Sequence, residues 1–292
     1  MLSINKYRSK YRFNGISQPS YYYGNSVIRL FVFKVVQTLL FFRRRGPSRS
    51  LLRPLRSLKG VKKGSIALIL GNGPSLDKLK AVDVDFFKPD VFVTNGYYST
   101  KCAKLVLPTF YCLSDPAFFV NNGGTPHSIS STLDYIEGSN CTLLVSHLYR
   151  KQRIAVTNPI LYFNDREIST LSANIDPCKP RGYSSQTIMK ALAVAIHLGY
   201  DKIYLLGVDN SECKSLFGDS DNKLWVRTDS YYAASDSGRY DFQVFTPSGA
   251  DAAFGQYATW FSDFKKFSNG NVFNLDKESI VDAFPKVDRL GD

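Results

Sequence analysis

The stretch "ALILGNGPSL", residues 67–76, decides the fold. Its opening apolar run suits a strand buried on both faces. The run stops on Gly71-Asn72-Gly73, and Pro74 then falls where a first helical turn has no use for an N–H. A buried strand that turns through glycines into a helix places a ligand off the strand's carboxyl end. Gly71 and Gly73 can take positive φ and let a ligand approach the backbone. The free N–H groups of a helix over residues 74–82, beginning at Pro74 and Ser75, are expected to face an anion such as a nucleotide phosphate. Two known phosphate motifs are excluded. Leu76 stands where the dinucleotide fingerprint has its third glycine, and no Gly-Lys-Ser/Thr follows for a Walker loop.

Strands and helices alternate outward from this unit. Strands are expected at residues 65–70, 91–94, 109–113, 142–146, 160–163, 202–207 and 272–275. Helices are expected at 184–198, with Ser184 as N-cap and Gly199 as stop, and at 252–267. Such alternation implies a single doubly wound, Rossmann-like parallel sheet. Residues 210–250 are polar, aromatic and without periodicity, which reads as a lid. Four apolar strands end on polar residues: the glycine turn with Asn72, then Asn95, then Ser114 and Asp115, then Asp209 and Asn210. Polar tips gathered along one sheet edge are read as a site.

The chain has 292 residues and a net charge of +12, unevenly placed. Residues 1–63 hold 15 of the 37 Lys and Arg and no acidic residue, which leaves 22 basic against 25 acidic residues in the remainder. A nearly neutral globular part argues against a nucleic-acid footprint spread over the fold. Residues 27–42, "VIRLFVFKVVQTLLFF", form a 16-residue amphipathic helix broken by Arg29 and Lys34 and followed by Arg43-Arg44-Arg45. That is short of the ~20 residues of a membrane span. It suits a helix lying in the headgroup layer of an anionic membrane, with residues 27–63 as the contact. Packing on the chain's own domain and an RNA-binding arm are the alternatives. The expected organisation is a membrane-associating extension over 1–63 and a transferase domain over 64–292, on the inner face of the cytoplasmic membrane. Five scattered cysteines without a C-x-x-C pair signal neither a zinc site nor a disulfide framework.

These residues resemble the bacterial sialyltransferases of glycosyltransferase family 42. The shared features are the G-N-G-P-S-L turn, the Asn95 strand end followed by aromatics, and "RGYSSQTIMKALAVAIHLGYDKIYLLGVD" from Arg181 to Asp209. The turn and the helix–strand unit also resemble a wider Rossmann superfamily of Maf-type flagellin-modifying transferases and MptE-like pterin diphosphokinases. The resemblance implies a variant of the GT-A fold and a CMP-sugar donor held by Asn72, Asn95 and Ser184. Asp115 then stands near the donor, and Arg181 matches the family's arginine. The implied acceptor is a surface glycan or lipid-linked sugar, and no divalent metal is expected. The chain departs from the family in its catalytic equipment. No histidine stands at the family's base position, and Ser211 and Phe217 replace its phosphate-binding tyrosines. Tyr231, Tyr232 and Arg239, with Arg227 and Tyr240, are the lid residues that can substitute.

Glycosyl transfer needs stabilisation of the leaving nucleotide and a base for the acceptor hydroxyl. Asp209, Asp241 and Asp251 are the candidates for the base. Gly71, Gly73, Ser75, Ser114 and Asn210 complete the expected donor contacts. An ATP-dependent diphosphokinase and a non-catalytic module that tethers a partner are the rival readings. A homo-oligomer is compatible with either.

Overall fold

Runs of Ile, Leu, Val and Phe without polar interruption make strands that need cover on both faces, and the architecture supplies it. The structure is a computed structural model that describes residues 46–119, 129–152, 154–168, 172–218, 220–221, 224–228, 240–243, 250–268 and 271–292, with 35, 38 and 39 singly. Strands β1 (Ile66–Leu70), β2 (Asp90–Thr94), β3 (Phe110–Leu113), β4 (Thr142–Ser146), β5 (Ile160–Phe163) and β6 (Lys202–Leu206) lie with β10 (Val272–Asn274) in one parallel sheet. The spatial order is β10-β6-β1-β2-β3-β4-β5. The chain winds outward from β1 to β5, then returns to place β6 on the other side of β1. The β1/β6 boundary is therefore the topological switch point, where open α/β sheets form their ligand crevice.

Helices α1 (Arg49–Ser57), α4 (Thr187–Leu198) and α5 (Ala250–Lys265) contribute to the apolar core on one face, through Leu55, Met189 and Phe264 among others. Helix α3 (Ile129–Ser139) and the short turns after β1 and β2 pack the other, through Ile136, Leu76 and Tyr97. Helix α2 (Ala81–Phe87) lies between β1 and β2 on that side. Helix α4, "TIMKALAVAIHL", is apolar nearly all round because it is buried nearly all round. It ends at Gly199, whose left-handed φ of 86° lets its N–H reach the carbonyls of Ala195 and Ile196.

Several boundaries differ from the expected ones. The helix expected over 74–82 is a five-residue 3-10 turn, Pro74–Lys78, and a separate α2; the extended backbone at Leu79 and Lys80 divides them. Helix α4 starts three residues after Ser184, which is not its N-cap. Gln186 occupies that position without a side-chain cap, and the Ser184 N–H instead donates to Asp263 of α5 (2.6 Å). The region expected to be an irregular lid contains an antiparallel sheet, β7 (Leu216–Gly218), β8 (Leu224–Thr228) and β9 (Tyr240–Gln243). It grows directly from a 3-10 turn, Ser211–Ser215, that follows β6.

The folded unit also begins before residue 64. Ser48 caps α1 by accepting from the Leu51 N–H (3.2 Å). Leu52 and Leu55 point inward and are buried, while Arg49, Arg53 and Arg56 stay exposed. The turn after α1 is sewn to the end of α4, because Gly60 N–H and Lys62 N–H donate to the His197 and Leu198 carbonyls (3.0 and 2.9 Å). A stripe of two leucines among arginines was hidden by the charge count. Apart from Val35, Thr38 and Leu39, the amphipathic segment over 27–42 lies outside the described residues. Among the described residues no helix is long and apolar enough to cross a membrane.

If α1 is integral to the domain, Leu55→Ala will lower unfolding free energy by about 2–5 kcal/mol, as for other buried leucines. Denaturant unfolding of the purified chain measures it; a change near zero would return α1 to the extension.

Candidate active site

The two loops at the switch point touch backbone to backbone. Gly71 N–H donates to the Leu206 carbonyl (2.8 Å) and Gly73 N–H to the Gly207 carbonyl (2.9 Å). A Cβ on Gly71 would overlap Gly207 O, and one on Gly73 would overlap the Asp209 carboxylate. Gly207 itself sits at φ 70°. The glycines of the β1 turn thus make room for the neighbouring loop. Neither Gly71 nor Gly73 uses the positive φ open to glycine.

The anion expected at the following turn is the protein's own. Ser75 N–H donates to Asp209 Oδ2 (3.3 Å), and Ser75 Oγ accepts from the Gly207 N–H (3.0 Å). Asp209 also hydrogen-bonds Asp276, which lies just past the end of β10. Lys78 Nζ holds Asp276 Oδ1 at 2.6 Å and Glu278 at 2.8 Å. Burial pushes the Asp209 carboxyl up to about 6, with Asp276 adding to the rise and Ser75 opposing it. Asp276 is held below its ordinary value because Lys78 and Asp209 together outweigh its burial. Two carboxyl groups sharing one proton titrate as a pair.

Along the next strand tips the side chains join in one chain of hydrogen bonds. Asn72 Nδ2 donates to the Thr94 carbonyl (3.1 Å) and to Thr94 Oγ1 (3.3 Å). Asn95, at a left-handed φ of 49°, donates through Nδ2 to Thr187 Oγ1 (3.2 Å). Thr187 opens α4 and meets Ser114 Oγ at 2.8 Å. Ser114 in turn accepts from Lys190 Nζ (3.1 Å). Lys190 is almost fully buried and pairs with Asp165 Oδ2 (2.8 Å) at the end of β5. Arg181 Nε takes Asp165 Oδ1 (2.7 Å), its Nη2 takes Glu167 (2.7 Å), and its Nη1 donates to the Tyr183 carbonyl. Two cations and two carboxylates balance. Burial drives the Lys190 ammonium down, while Lys190 and Arg181 hold Asp165 below its usual range against its own burial. His147, at the end of β4, accepts the Asp165 N–H at Nδ1 (2.9 Å). Burial lowers its pKa to about 4, so it is neutral and its hydrogen sits on Nε2.

Among the described residues, buried polar atoms on this edge have no partner: Asn72 Oδ1, Asn95 Oδ1, His147 Nε2 and Asn210 Nδ2. Native structures leave few such groups, and each calls for an explanation. Asn210, like Asn95, is left-handed (φ 47°), a conformation asparagine tolerates and that gathers at functional sites.

The structure therefore brings Asn72, Asn95, Ser114, Asp209 and Asn210 to one edge, with Asp115 half-buried at the tip of β3. Arg181 is committed to Asp165, Glu167 and Tyr183 and is only 6% exposed. Ser184 is sealed in the core, with Oγ 3.6 Å from the Met189 sulfur. Asp241 lies on β9 opposite Arg227, and Asp251 in the first turn of α5; their side chains are outside the described set. Tyr231, Tyr232 and Arg239 lie outside the described residues altogether. Asp165, Asp276 and Lys190 were missed. The first two follow the same rule of polar strand ends that picked out Asn95, and Lys190 is the one charge in an otherwise apolar helix.

No known protein family's profile matches the chain, and no curated protein matches it. Among solved structures, the chain is similar to the Maf glycosyltransferase from Magnetospirillum magneticum AMB-1, with a TM-score of 0.46 and 15% identity. The match covers 82% of this chain and 37% of that one, so the chain spans little more than a third of its length.

Two outcomes check these electrostatics. Asp209 is raised in the folded state, so the stability it contributes is present below about 3.8 and is lost as pH rises through about 6. Melting temperatures from pH 4 to 7 will therefore show a smaller decline for Asp209→Asn than for the parent. Lys190→Met leaves Asp165 short of a buried partner and will cost about 3–5 kcal/mol. Adding Asp165→Asn will return part of that loss in a double-mutant cycle of denaturant midpoints.

Proposed function

We propose that the chain is a glycosyltransferase that moves a sugar from a pyrimidine-nucleotide donor, CMP-linked by the sequence resemblance, to a hydroxyl of a glycan or lipid-linked acceptor. The observation that carries this reading is the row of buried amide atoms on the carboxyl edge at Asn72, Asn95 and Asn210 that have no partner among the described residues. Carbonyl acceptors and an amide donor fixed in a buried place suit the polar edge of a nucleoside, whose groups would complete their hydrogen bonds.

In this reading Asp209 is the general base. A carboxylate whose pKa is raised to about 6 is mostly ionised at pH 7 yet basic enough to accept a proton. It would take the proton of the acceptor hydroxyl as the acceptor oxygen bonds to the sugar carbon. The bond from that carbon to the nucleotide's phosphate oxygen breaks, and the phosphate keeps the electron pair. Asp276, fastened by Lys78, sets the basicity of Asp209 and so acts as a positioning residue. Tyr231, Tyr232 and Arg239 remain our candidates to meet the phosphate charge, with Asp241 and Asp251 as the other candidate bases. A sialic acid as the sugar is the family's implication, and no metal is invoked.

We place the enzyme on the anionic face of a membrane. The exposed arginines of α1 continue the basic run that precedes it, so one cationic surface would lie toward the headgroups.

The reading is tested by thermal shift with CMP, UMP, their sugar conjugates, and ATP with Mg²⁺. CMP or a CMP-sugar is expected to raise the melting temperature, and Asn72→Ala or Asn95→Ala to weaken that binding at least about tenfold, the equivalent of one lost hydrogen bond in a buried place. A response to ATP alone would select a diphosphokinase, and no response to any nucleotide would defeat the reading.

A further inference from the structure

Away from the strand tips, at the far end of α4, three side chains of different elements converge. Asp176 and Cys178 come from the loop that follows β5, and His197 from the last turn of α4. One potential ligand atom from each, a carboxylate oxygen, the Cys178 sulfur and a His197 ring nitrogen, lies within 4.8 Å of the other two. His197 Nδ1 is 3.7 Å from Asp176 Oδ1. Cys178 and His197 are 7% and 8% exposed, whereas Asp176 is half-buried.

The second ring nitrogen of His197 settles which one is offered. Nε2 lies 3.1 Å from the Leu55 carbonyl of α1. A carbonyl only accepts, so Nε2 carries the hydrogen, and in the neutral ring Nδ1 then holds its lone pair toward Asp176 and Cys178. A backbone carbonyl that fixes the tautomer from behind is the usual outer support of a metal-binding imidazole. Lone pairs of nitrogen and oxygen then face each other 3.7 Å apart with the thiol beside them, which is an arrangement for a cation.

We propose that Asp176, Cys178 and His197 bind a divalent transition-metal ion, zinc by the chemistry of a sulfur, nitrogen and oxygen set, and that the ion clamps α1 to the body of the domain. Bond lengths to zinc of about 2.0–2.3 Å put tetrahedral ligand atoms roughly 3.3–3.8 Å apart, and water takes the fourth position. For a nitrogen–oxygen pair the range is about 3.3–3.5 Å, so the His197–Asp176 spacing of 3.7 Å must close by a few tenths of an ångström. The remaining closure falls to Asp176, which is half-exposed and on a loop. Arg56 now hydrogen-bonds Cys178, but it is an exposed side chain on α1 and can swing into solvent when the ion enters. Binding displaces the thiol proton to solvent. The clamp joins α1, through the Leu55 carbonyl, to α4 and to the loop after β5. It lies apart from the carboxyl edge, so it stands or falls independently of the transferase reading.

The test uses the full chain, stripped of metal under reducing conditions and titrated with Co²⁺. One equivalent is expected to bind with a thiolate-to-cobalt charge-transfer band, which Zn²⁺ then abolishes. Zinc at a hundredfold excess over its dissociation constant is expected to raise the melting temperature by roughly 5 °C. Cys178→Ser, which preserves size, is expected to remove the band. Asp176→Asn, which keeps an oxygen for the Cys178 N–H that Asp176 Oδ1 accepts (2.9 Å), is expected to weaken binding at least about tenfold, the lower bound for disturbed metal sites. No band at saturating Co²⁺, or a band that persists in Cys178→Ser, overturns the proposal; the first outcome would leave the cluster as a His–Asp ion pair beside a thiol.

Discussion

The contact between the β1 and β6 loops is what the rest of this molecule is arranged around. Parallel neighbours that leave a sheet in different directions normally splay apart and open a crevice. Here Gly71 and Gly73 let the Gly207 carbonyl and the Asp209 carboxylate fill the space their own side chains would have taken. Two backbone hydrogen bonds and the Ser75 side chain then lock the loops together. Any side chain on Gly71 meets a backbone oxygen that cannot move without breaking the strand pairing behind it. The closed switch point shifts the available polar edge toward β2 and β3, where Asn72, Asn95 and Ser114 lie.

That edge is kept in place from beneath by charge. Lys190 and Arg181 enter the interior from α4 and from the segment before it, and Asp165 meets both from the end of β5. Removing such groups from water is costly and is offset only when geometry and pairing are complete. Completeness has a mechanical consequence. The start of α4 cannot slide along the sheet without stranding a buried ion, so Thr187 holds its place against Asn95 and Ser114. Rigidity at the first turn of α4 is thus secured by electrostatics three residues further along the helix.

The sheet was legible because its strands are short apolar runs, and Thr142–Ser146 and Ile160–Phe163 fall where the pattern puts them. Polar strand ends were legible for the same reason, since a buried run that stops on Asn or Asp marks where the core stops. What failed to show was the partner of each group. Gly73 reads alike whether a phosphate or Asp209 fills the space beside it, because that choice is made 136 residues away. Ser184 reads as an N-cap from its neighbours, but Asp263 on a distant helix claims its N–H. The leucines of α1 were outweighed by the arginines around them, although burial depends on spacing and Leu52 and Leu55 are three apart. Lid strands β7 to β9 escaped notice because they pair among themselves and carry no long apolar run.

Asp209 has one further consequence for any nucleotide bound here. A phosphate laid against the Ser75 N–H would meet a carboxylate already bonded there, and two anions in a buried place raise each other's proton affinity steeply. With its pKa already at about 6, Asp209 would be driven to take up a proton, which disables it as a base. A donor that leaves Asp209 ionised must therefore carry its phosphate away from the glycine turn and present only uncharged groups to it. The unpaired amide atoms of Asn72 and Asn95 meet that requirement, since a nucleoside offers hydrogen bonds without charge. Under the proposed function, the donor's phosphate would then lie away from the glycine turn. The glycine turn, which from its residues alone reads as a phosphate cradle, would in that arrangement separate the phosphate from Asp209, which already occupies the Ser75 N–H.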